Sequence, residues 1–392
     1  MPALPCNRIV KADAGEDELM MKLNRAVLGV ATAVLAVAWA SGALSSEGSP
    51  EKEAEWRRME VGWVIGTDPT QTAVILHTKN GGRTWTVQGD GTRWVGYTGY
   101  DISAVDGRTA WAALGGISDG KILHTTDGGK TWTEQAIPGG LGPMKQIRGL
   151  SRRIAWAASL DGTVLHTTDG GQTWNVVPHP EAPVTQVNRM DVRGLRNADI
   201  RIVDEKGGRL GMIHSRDNGA TWRQETVDYS PGPPQIPGLH MVAAHSRRIA
   251  WCTSWDSAEL FRTDDGATWT SLGTFSGPND IDDMASPTGH TLWAVQNLSG
   301  NSGGAIFHLR LKKNGDLAVR RYDPTHQHIF EGLSCSDDRH AVVVGSRAMG
   351  VPTTVPMGVI LKTSDGGKHW KNQAVPVSDV AFWKVSFVGA WR

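Results

Sequence analysis

Cysteine is nearly absent from this chain, with three in 392 residues. That excludes a disulfide-stapled scaffold and a cysteine-built metal centre. Cys6 precedes the region expected to fold. Cys252 and Cys335 fall in different repeats, so both read as buried free thiols rather than a bridge. Excess charge is absent too: 40 basic and 40 acidic side chains cancel. Nothing in that balance favours nucleic acid or any strongly charged partner. Charged residues make up only 20%, and tyrosine is confined to Tyr97, Tyr100, Tyr229 and Tyr322. In their place stand 47 glycines and 17 tryptophans. That mixture suits a turn-rich all-β chain.

One stretch recurs. It runs Thr125-Thr126-Asp127-Gly128-Gly129-Lys130-Thr131-Trp132. Thr167 to Trp174 repeats it, as does Thr363 to Trp370 with His369 in place of the second threonine. Thr78 to Trp85 carries Asn80 for the aspartate, Ser215 to Trp222 carries Asn218 for the first glycine, and Thr263 to Trp269 is one residue shorter. An aspartate oxygen can accept from backbone N–H groups a few residues on and close a tight turn. The two glycines supply the positive φ that such a turn needs. The tryptophan, with strand residues after it, is large enough to seal one sheet against its neighbour. Asn80, Asp127, Asp169, Asp217, Asp265 and Asp365 are therefore expected to be turn staples. Trp85, Trp132, Trp174, Trp222, Trp269 and Trp370 are expected to be packing residues.

The first five of these tryptophans are spaced by 47, 42, 48 and 47 residues, and Trp370 follows after 101, or two periods. The missing unit lies at 280–322, where Lys313-Asn314-Gly315-Asp316 keeps a hairpin signal without the aspartate turn. The count is seven. A second tryptophan precedes the first in most units: Trp63, Trp111, Trp156, Trp251 and Trp293. Each unit reads as four short strands, about 101–105, 109–114, 121–125 and 131–136 in the second. Seven four-stranded units of this length predict an all-β, seven-bladed β-propeller over residues 58–392. The first unit starts at its second strand, and the chain ends on Phe382 to Val388 with nothing after it. The terminal strand is thus expected to complete the first blade beside residues 61–66.

Residues 20–43 read as an export signal or N-terminal anchor. Lys22 and Arg25 precede an apolar run, and small residues follow it. Residues 1–19 fit poorly ahead of such a signal, so a start at Met20 or Met21 is expected, with 44–57 as linker. The chain is expected to be exported to a periplasm or outside the cell, as a monomer. Any membrane contact would be through an uncleaved N-terminal segment.

Strands alternate in direction, so the turns after strands one and three share a face. The other face is built by 66–74, 86–100, 224–239, 254–259, 297–304 and 346–358, several of them long. Carboxylates on that face or on inner strands are Asp101, Asp256, Glu259, Asp280, Asp282, Asp283 and Glu331. No motif pairs them, so no catalytic residue is assigned. His77, His124, His166, His214 and His308 recur at one position. Such positions stand around a ring and cannot converge on a metal, so they are expected to pack, and neither metal nor cofactor is expected. The turn after strand one is basic in most units, with Arg108, Arg152, Arg153, Arg196, Arg247, Arg248 and Arg339. Guanidinium groups along one rim suit an acidic tail of a protein partner.

The repeated Ser/Thr-x-Asp-x-Gly-x-Thr-Trp stretch resembles the Asp-box, or bacterial neuraminidase repeat. With Gly/Ala-Trp-Ala/Val ahead of it, seven units and an export signal, the chain is similar to the photosystem II stability and assembly factor family. That resemblance implies a non-catalytic scaffold that binds a membrane-protein precursor through an arginine-rich surface, in a thylakoid lumen where the host is photosynthetic. The same repeat in sialidases and xyloglucan-active hydrolases implies the alternative, a glycan-active hydrolase working on the face opposite the boxes.

Overall fold

The computed structural model describes residues 59–388 except 90–93, 180–185, 207–208, 226–238, 255–258, 277–280, 299, 301, 325–326, 349 and 353–356. The export segment, the extension before it, the linker, Cys6, Tyr229, Asp256 and Asp280 lie outside the described residues.

The described strands form seven antiparallel four-stranded sheets arranged as the blades of a ring. The first blade uses β1 (Gly62–Thr67), β2 (Ala73–Thr78) and β3 (Thr86–Gln88). The second has β4 (Thr98–Ala104), β5 (Ala110–Gly115), β6 (Gly120–Thr125) and β7 (Thr133–Glu134). The third has β8 (Met144–Gly149), β9 (Ala155–Ser159), β10 (Val164–Thr167) and β11 (Asn175–Val177). The fourth has β12 (Gln186–Arg193), β13 (Asp199–Lys206), β14 (Arg209–Ser215) and β15 (Arg223–Glu225). The fifth has β16 (Leu239–Ala244), β17 (Ala250–Ser254), β18 (Glu259–Thr263) and β19 (Trp269–Thr274). The sixth has β20 (Ile281–Thr288), β21 (Thr291–Asn297), β22 (Gly304–Leu311) and β23 (Leu317–Tyr322). The seventh has β24 (His328–Cys335), β25 (Ala341–Arg347), β26 (Gly358–Thr363) and β27 (Lys371–Asn372).

The last strand, β28 (Ala381–Phe387), returns to the first blade, whose order is β28-β1-β2-β3. Its pairing runs from Gly62 opposite Phe387 to Thr67 opposite Ala381. The expected closure is thus present. The outer strand of the second blade is shorter than the sequence suggested: only Thr133 and Glu134 pair, and the buried Trp132 stands before them. Outer strands of two or three residues leave little open edge on five blades.

The blades are held together by their tryptophans. Trp174 of the third blade meets Trp111 of the second edge-on, at 5.8 Å between centroids. Trp370 of the seventh meets Trp293 of the sixth in the same way, at 6.0 Å. Within a blade, the recurring histidine stacks flat on the second-strand tryptophan: Trp63 on His77, Trp111 on His124, Trp156 on His166 and Trp293 on His308. These histidines pack, as expected, and burial lowers each to about 4, so they are neutral near pH 7. Cys252 and Cys335 are buried free thiols raised by burial.

The fourth blade breaks the pattern. Arg201 holds the tryptophan position and pairs with Asp199 at 2.5 Å. His214 then bridges Asp199 and Glu225, at 3.0 and 2.5 Å. Trp269 of the next blade, lacking an indole to meet, donates to Glu225 at 2.9 Å.

Candidate functional site

Two regions carry organised polar chemistry: a rim on one face and the axis of the ring. The rim is built by the aspartate turns. The Thr125 hydroxyl donates to Asp127 at 2.9 Å and accepts from the Gly129 N–H at 3.0 Å. Asp127 then accepts from the Thr131 N–H and hydroxyl, at 3.0 and 2.6 Å. The turns at Asp169, Asp217, Asp265 and Asp365 use the same set of bonds, with His369 replacing the hydroxyl at Asp365. The Thr173 hydroxyl and N–H hold the Asp169 carboxyl at about 2. Asn80 closes its turn through Oδ1 and donates from its amide to Thr84.

Five of these six turns, all but that at Asp265, donate a backbone N–H to the segment that precedes the second-strand position of their blade. The N–H of Gly128 donates to Arg108 O at 2.8 Å, Gly170 to Arg153 O at 2.9 Å and Gly366 to Arg339 O at 3.0 Å. Both sets of turns therefore lie on one face. The backbone bond fixes where Arg108, Arg153 and Arg339 leave the chain. Of the seven expected arginines, all are exposed. Arg152 pairs with Asp106 at 3.0 Å, and Arg247 donates to the carbonyls of Arg196 and Asn197. Arg108, Arg153, Arg196, Arg248 and Arg339 have no side-chain partner among the described residues. They sit on the second, third, fourth, fifth and seventh blades.

The axis shows what sequence reading missed. An inner strand has a ladder partner on one side only, so its other row of N–H groups needs acceptors. The preceding blade supplies them. Asp101 accepts from Ile147 N, Ser103 from Gly149 N and Asp191 from Ala244 N. Asp283 accepts from Leu333 N, Ser334 from Phe387 N and Ser386 from Ala104 N. These capping carboxylates are paired with cations, of which Arg148, Arg189 and Lys384 are buried and Arg193 is half-buried. Arg148 pairs with Asp101 at 2.6 Å, and Arg193 with Asp191 at 3.1 Å. Asp283 takes Arg189 at 2.7 Å and Lys384 at 2.6 Å, from blades on opposite sides of it. Side chains thus reach across the ring and plug its centre. Burial, with Arg189 adding to it, lowers Lys384 to about 8, while the attraction of Arg189 and Lys384 outweighs burial and keeps the Asp283 carboxyl low.

Above this plug, towards the face opposite the arginine rim, every inner strand carries a β-bulge at the same place. The unpaired residues are Tyr100, Lys145, Asn188, His240, Asp282, Glu331 and Trp383, in blades two to seven and then one. All seven are half-buried. A bulge re-aims the side chain it inserts. The residues two positions on are repetitive and apolar: Ile102, Ile147, Met190, Val242, Met284, Leu333 and Val385, all buried. The bulge positions hold seven different polar or aromatic types.

Two of these residues were candidates on sequence grounds, Asp282 and Glu331. Burial raises the Glu331 carboxyl to about 7, although solvent still reaches it. Glu331 has no hydrogen-bond or ion-pair partner among the described residues. Asp101 and Asp283 are committed to the plug, and Glu259 bonds Ser271 at 2.5 Å. Among the described residues no group of three metal-binding side chains stands together.

The fold defines a seven-bladed β-propeller. No protein-family model matches the chain, and no curated protein matches it. Solved structures do. YCF48 bound to a D1 peptide is 18% identical with a TM-score of 0.50, covering 71% of this chain and 81% of that one. YCF48 from Cyanidioschyzon merolae is 15% identical with a TM-score of 0.55, covering 79% and 97%. The GH74 xyloglucanase from Xanthomonas campestris is 13% identical with a TM-score of 0.53, covering 85% of this chain and 55% of that one. Likenesses at this identity show the fold alone.

Proposed function

We propose that this propeller is a non-catalytic protein-binding module, an assembly or stability factor that holds an acidic segment of another protein on its arginine rim. The observation that carries the reading is the set of five exposed arginines with no side-chain partner among the described residues, all on turns of one face, three of them fixed through their own carbonyls. Guanidinium groups grip carboxylates through paired N–H donors, and an acidic tail offers several carboxylates in series. The structural likeness to YCF48 bound to a D1 peptide supports a peptide ligand, and the aspartate turns support the Asp-box reading of the repeat. Export across a membrane belongs to the same proposal and rests on residues 20–43. The partner would then be a membrane-protein precursor or its acidic end.

The test is capture of acidic peptides by the purified chain. Charge reversal of Arg108, Arg153, Arg248 and Arg339 should abolish capture. Raising salt should weaken the wild type, as for exposed charge pairs. Capture that survives the four reversals would remove the rim as the site. A glycan-active hydrolase is the second reading, and it draws on Glu331, whose raised carboxyl suits a general acid. Incubation with sialosides and β-glucans without turnover would dispose of it.

A further inference from the structure

A cleft of about 450 Å³, a volume that suits a small ligand, opens between the seventh and first blades. None of the rim arginines lines it, and it is independent of the proposed peptide site. Similar clefts lie between blades one and two and between blades two and three, and those present the neutral His77 and His124. At the cleft beside the seventh blade the repeat departs twice. Val342 and Lys362 occupy the paired positions that hold Trp63 and His77 in the first blade. With no indole to stack on, the Lys362 side chain crosses to the next blade and donates from Nζ to Gly81 O at 2.8 Å. Asn80, which also lines the cleft, stands where the other five turns carry an aspartate. Both departures shift the charge in one direction, since the first adds a cation and the second removes a carboxylate.

We propose that this cleft binds a small organic monocarboxylate, its carboxyl held between Lys362 and Arg83 and its apolar body against the buried Met59. Lys362 is half-buried and spends one of its three N–H groups on Gly81, which leaves two for a ligand. Arg83 and Lys371 are exposed and have no side-chain partner among the described residues. Burial, then the nearby charge of Arg83, lowers the Lys362 ammonium below its usual range, and an anion between the two cations relieves that repulsion. The charge count selects the ligand. The cations Arg83, Lys362 and Lys371 face the carboxylates of Glu60 and Asp365, an excess of one. A single carboxylate balances that excess, whereas a phosphate dianion would exceed it and meet two carboxylates already in place. Neither resident carboxylate serves instead. Asp365 is held in its own turn by Thr363 and His369, and Glu60 has no ion-pair partner among the described residues.

The test is calorimetry on the full chain with four probes: hexanoate, its neutral counterpart hexanamide, inorganic phosphate and Nα-acetyl-leucine. Hexanoate should bind saturably and about tenfold tighter than hexanamide or phosphate, the worth of a charge-assisted hydrogen bond. Arg83→Gln, a change at an exposed side chain, should weaken hexanoate about tenfold. Lys362→Met keeps the aliphatic stem, removes the ammonium and should weaken it at least as much. A preference for hexanoate identifies a free acid as the source, and a preference for the acetylated amino acid identifies a chain terminus. Absence of saturable binding of either carboxylate by folded wild type would overturn the proposal. Equal or tighter binding of hexanamide or phosphate would do the same, as would hexanoate affinity unchanged in folded Arg83→Gln and Lys362→Met.

Discussion

Phe387 covers Gly62 across the seam of the ring so closely that a β-carbon on the glycine would stand 2.6 Å from the phenylalanine ring. The last strand and the first were made for each other, and β28 also packs against β24 and β4. Deleting residues 380–392 removes the buried Phe382, Val385 and Phe387. Each is worth about 1.5–3 kcal/mol of burial, and the loss opens an inner strand on the first blade. The truncated protein should lose most of its cooperative melt. Gly62→Val, which leaves the strand in place but forces the ring aside, should lower the melting temperature by several degrees while keeping the β spectrum. A full-length melt in the truncated chain would refute seven-fold closure through this strand.

The stacked histidines set a direction for acid stability. His77, His124, His166, His308 and His240 are each lowered by burial from 6.5 to about 4. A depressed histidine contributes fully above its unfolded value and loses that contribution as pH falls from about 6.5 towards 4, because the unfolded chain takes the proton first. Glu331 runs the other way, gaining stability below 7. Five groups against one decide the sign. Urea unfolding should show stability falling between about pH 6.5 and 4, by about 1.4 kcal/mol per pH unit for each uncompensated histidine. His124→Gln and His308→Gln together should flatten that slope. A flat profile in the wild type would contradict the burial of these rings.

Much of this architecture could be read from the chain because the repeat is strict where the fold needs it. Asp127 with Gly128 and Gly129 announces a turn, and Trp132 announces a seal, six times over. The second-strand tryptophans and recurring histidines were separately visible, and their stacking follows from pairing Trp111 opposite His124. The fourth blade was not legible in this way. Arg201 sits where a tryptophan is expected, and nothing nearby says that Asp199, His214 and Glu225 will close around it. The row of bulges on the inner strands was hidden for a different reason. A bulge is a change of register between two strands, and Tyr100 or Glu331 carries no local mark of it. Only the pairing of Phe330 with Gly345 and Gly332 with Val344 exposes Glu331 as the inserted residue.

The fourth-blade cluster should be intolerant of partial removal. Arg201 and Asp199 are both inaccessible to solvent, and Arg201 also donates to the carbonyl of Arg247 at 3.1 Å. Taking one member of a buried pair away leaves the other uncompensated, at a cost of about 3–5 kcal/mol. Arg201→Met should therefore destabilise far more than Arg152→Met, whose partner Asp106 is exposed enough to be solvated. Chemical denaturation of the two variants checks the contrast. Equal, small losses would show that the cluster is not a closed unit.

The aspartate turns make a graded prediction, because one of them already runs without its charge. Asn80 accepts from the Thr84 N–H at 2.9 Å through the same oxygen position that Asp127 uses for Thr131. What the amide loses is the acceptor for the threonine hydroxyl. Its nitrogen instead donates to that hydroxyl, at 2.9 Å. The turn thus depends on a short side chain with one well-placed oxygen, and the charge refines it. Asp127→Asn should cost little, a few tenths of a kcal/mol, whereas Asp127→Ala strands the Thr131 N–H and the Thr125 hydroxyl and should cost about 1 kcal/mol, as for a lost cap. Paired melts of the two variants measure the difference. If asparagine proved as damaging as alanine, the staple would have to be electrostatic, and the turn at Asn80 would need some other support.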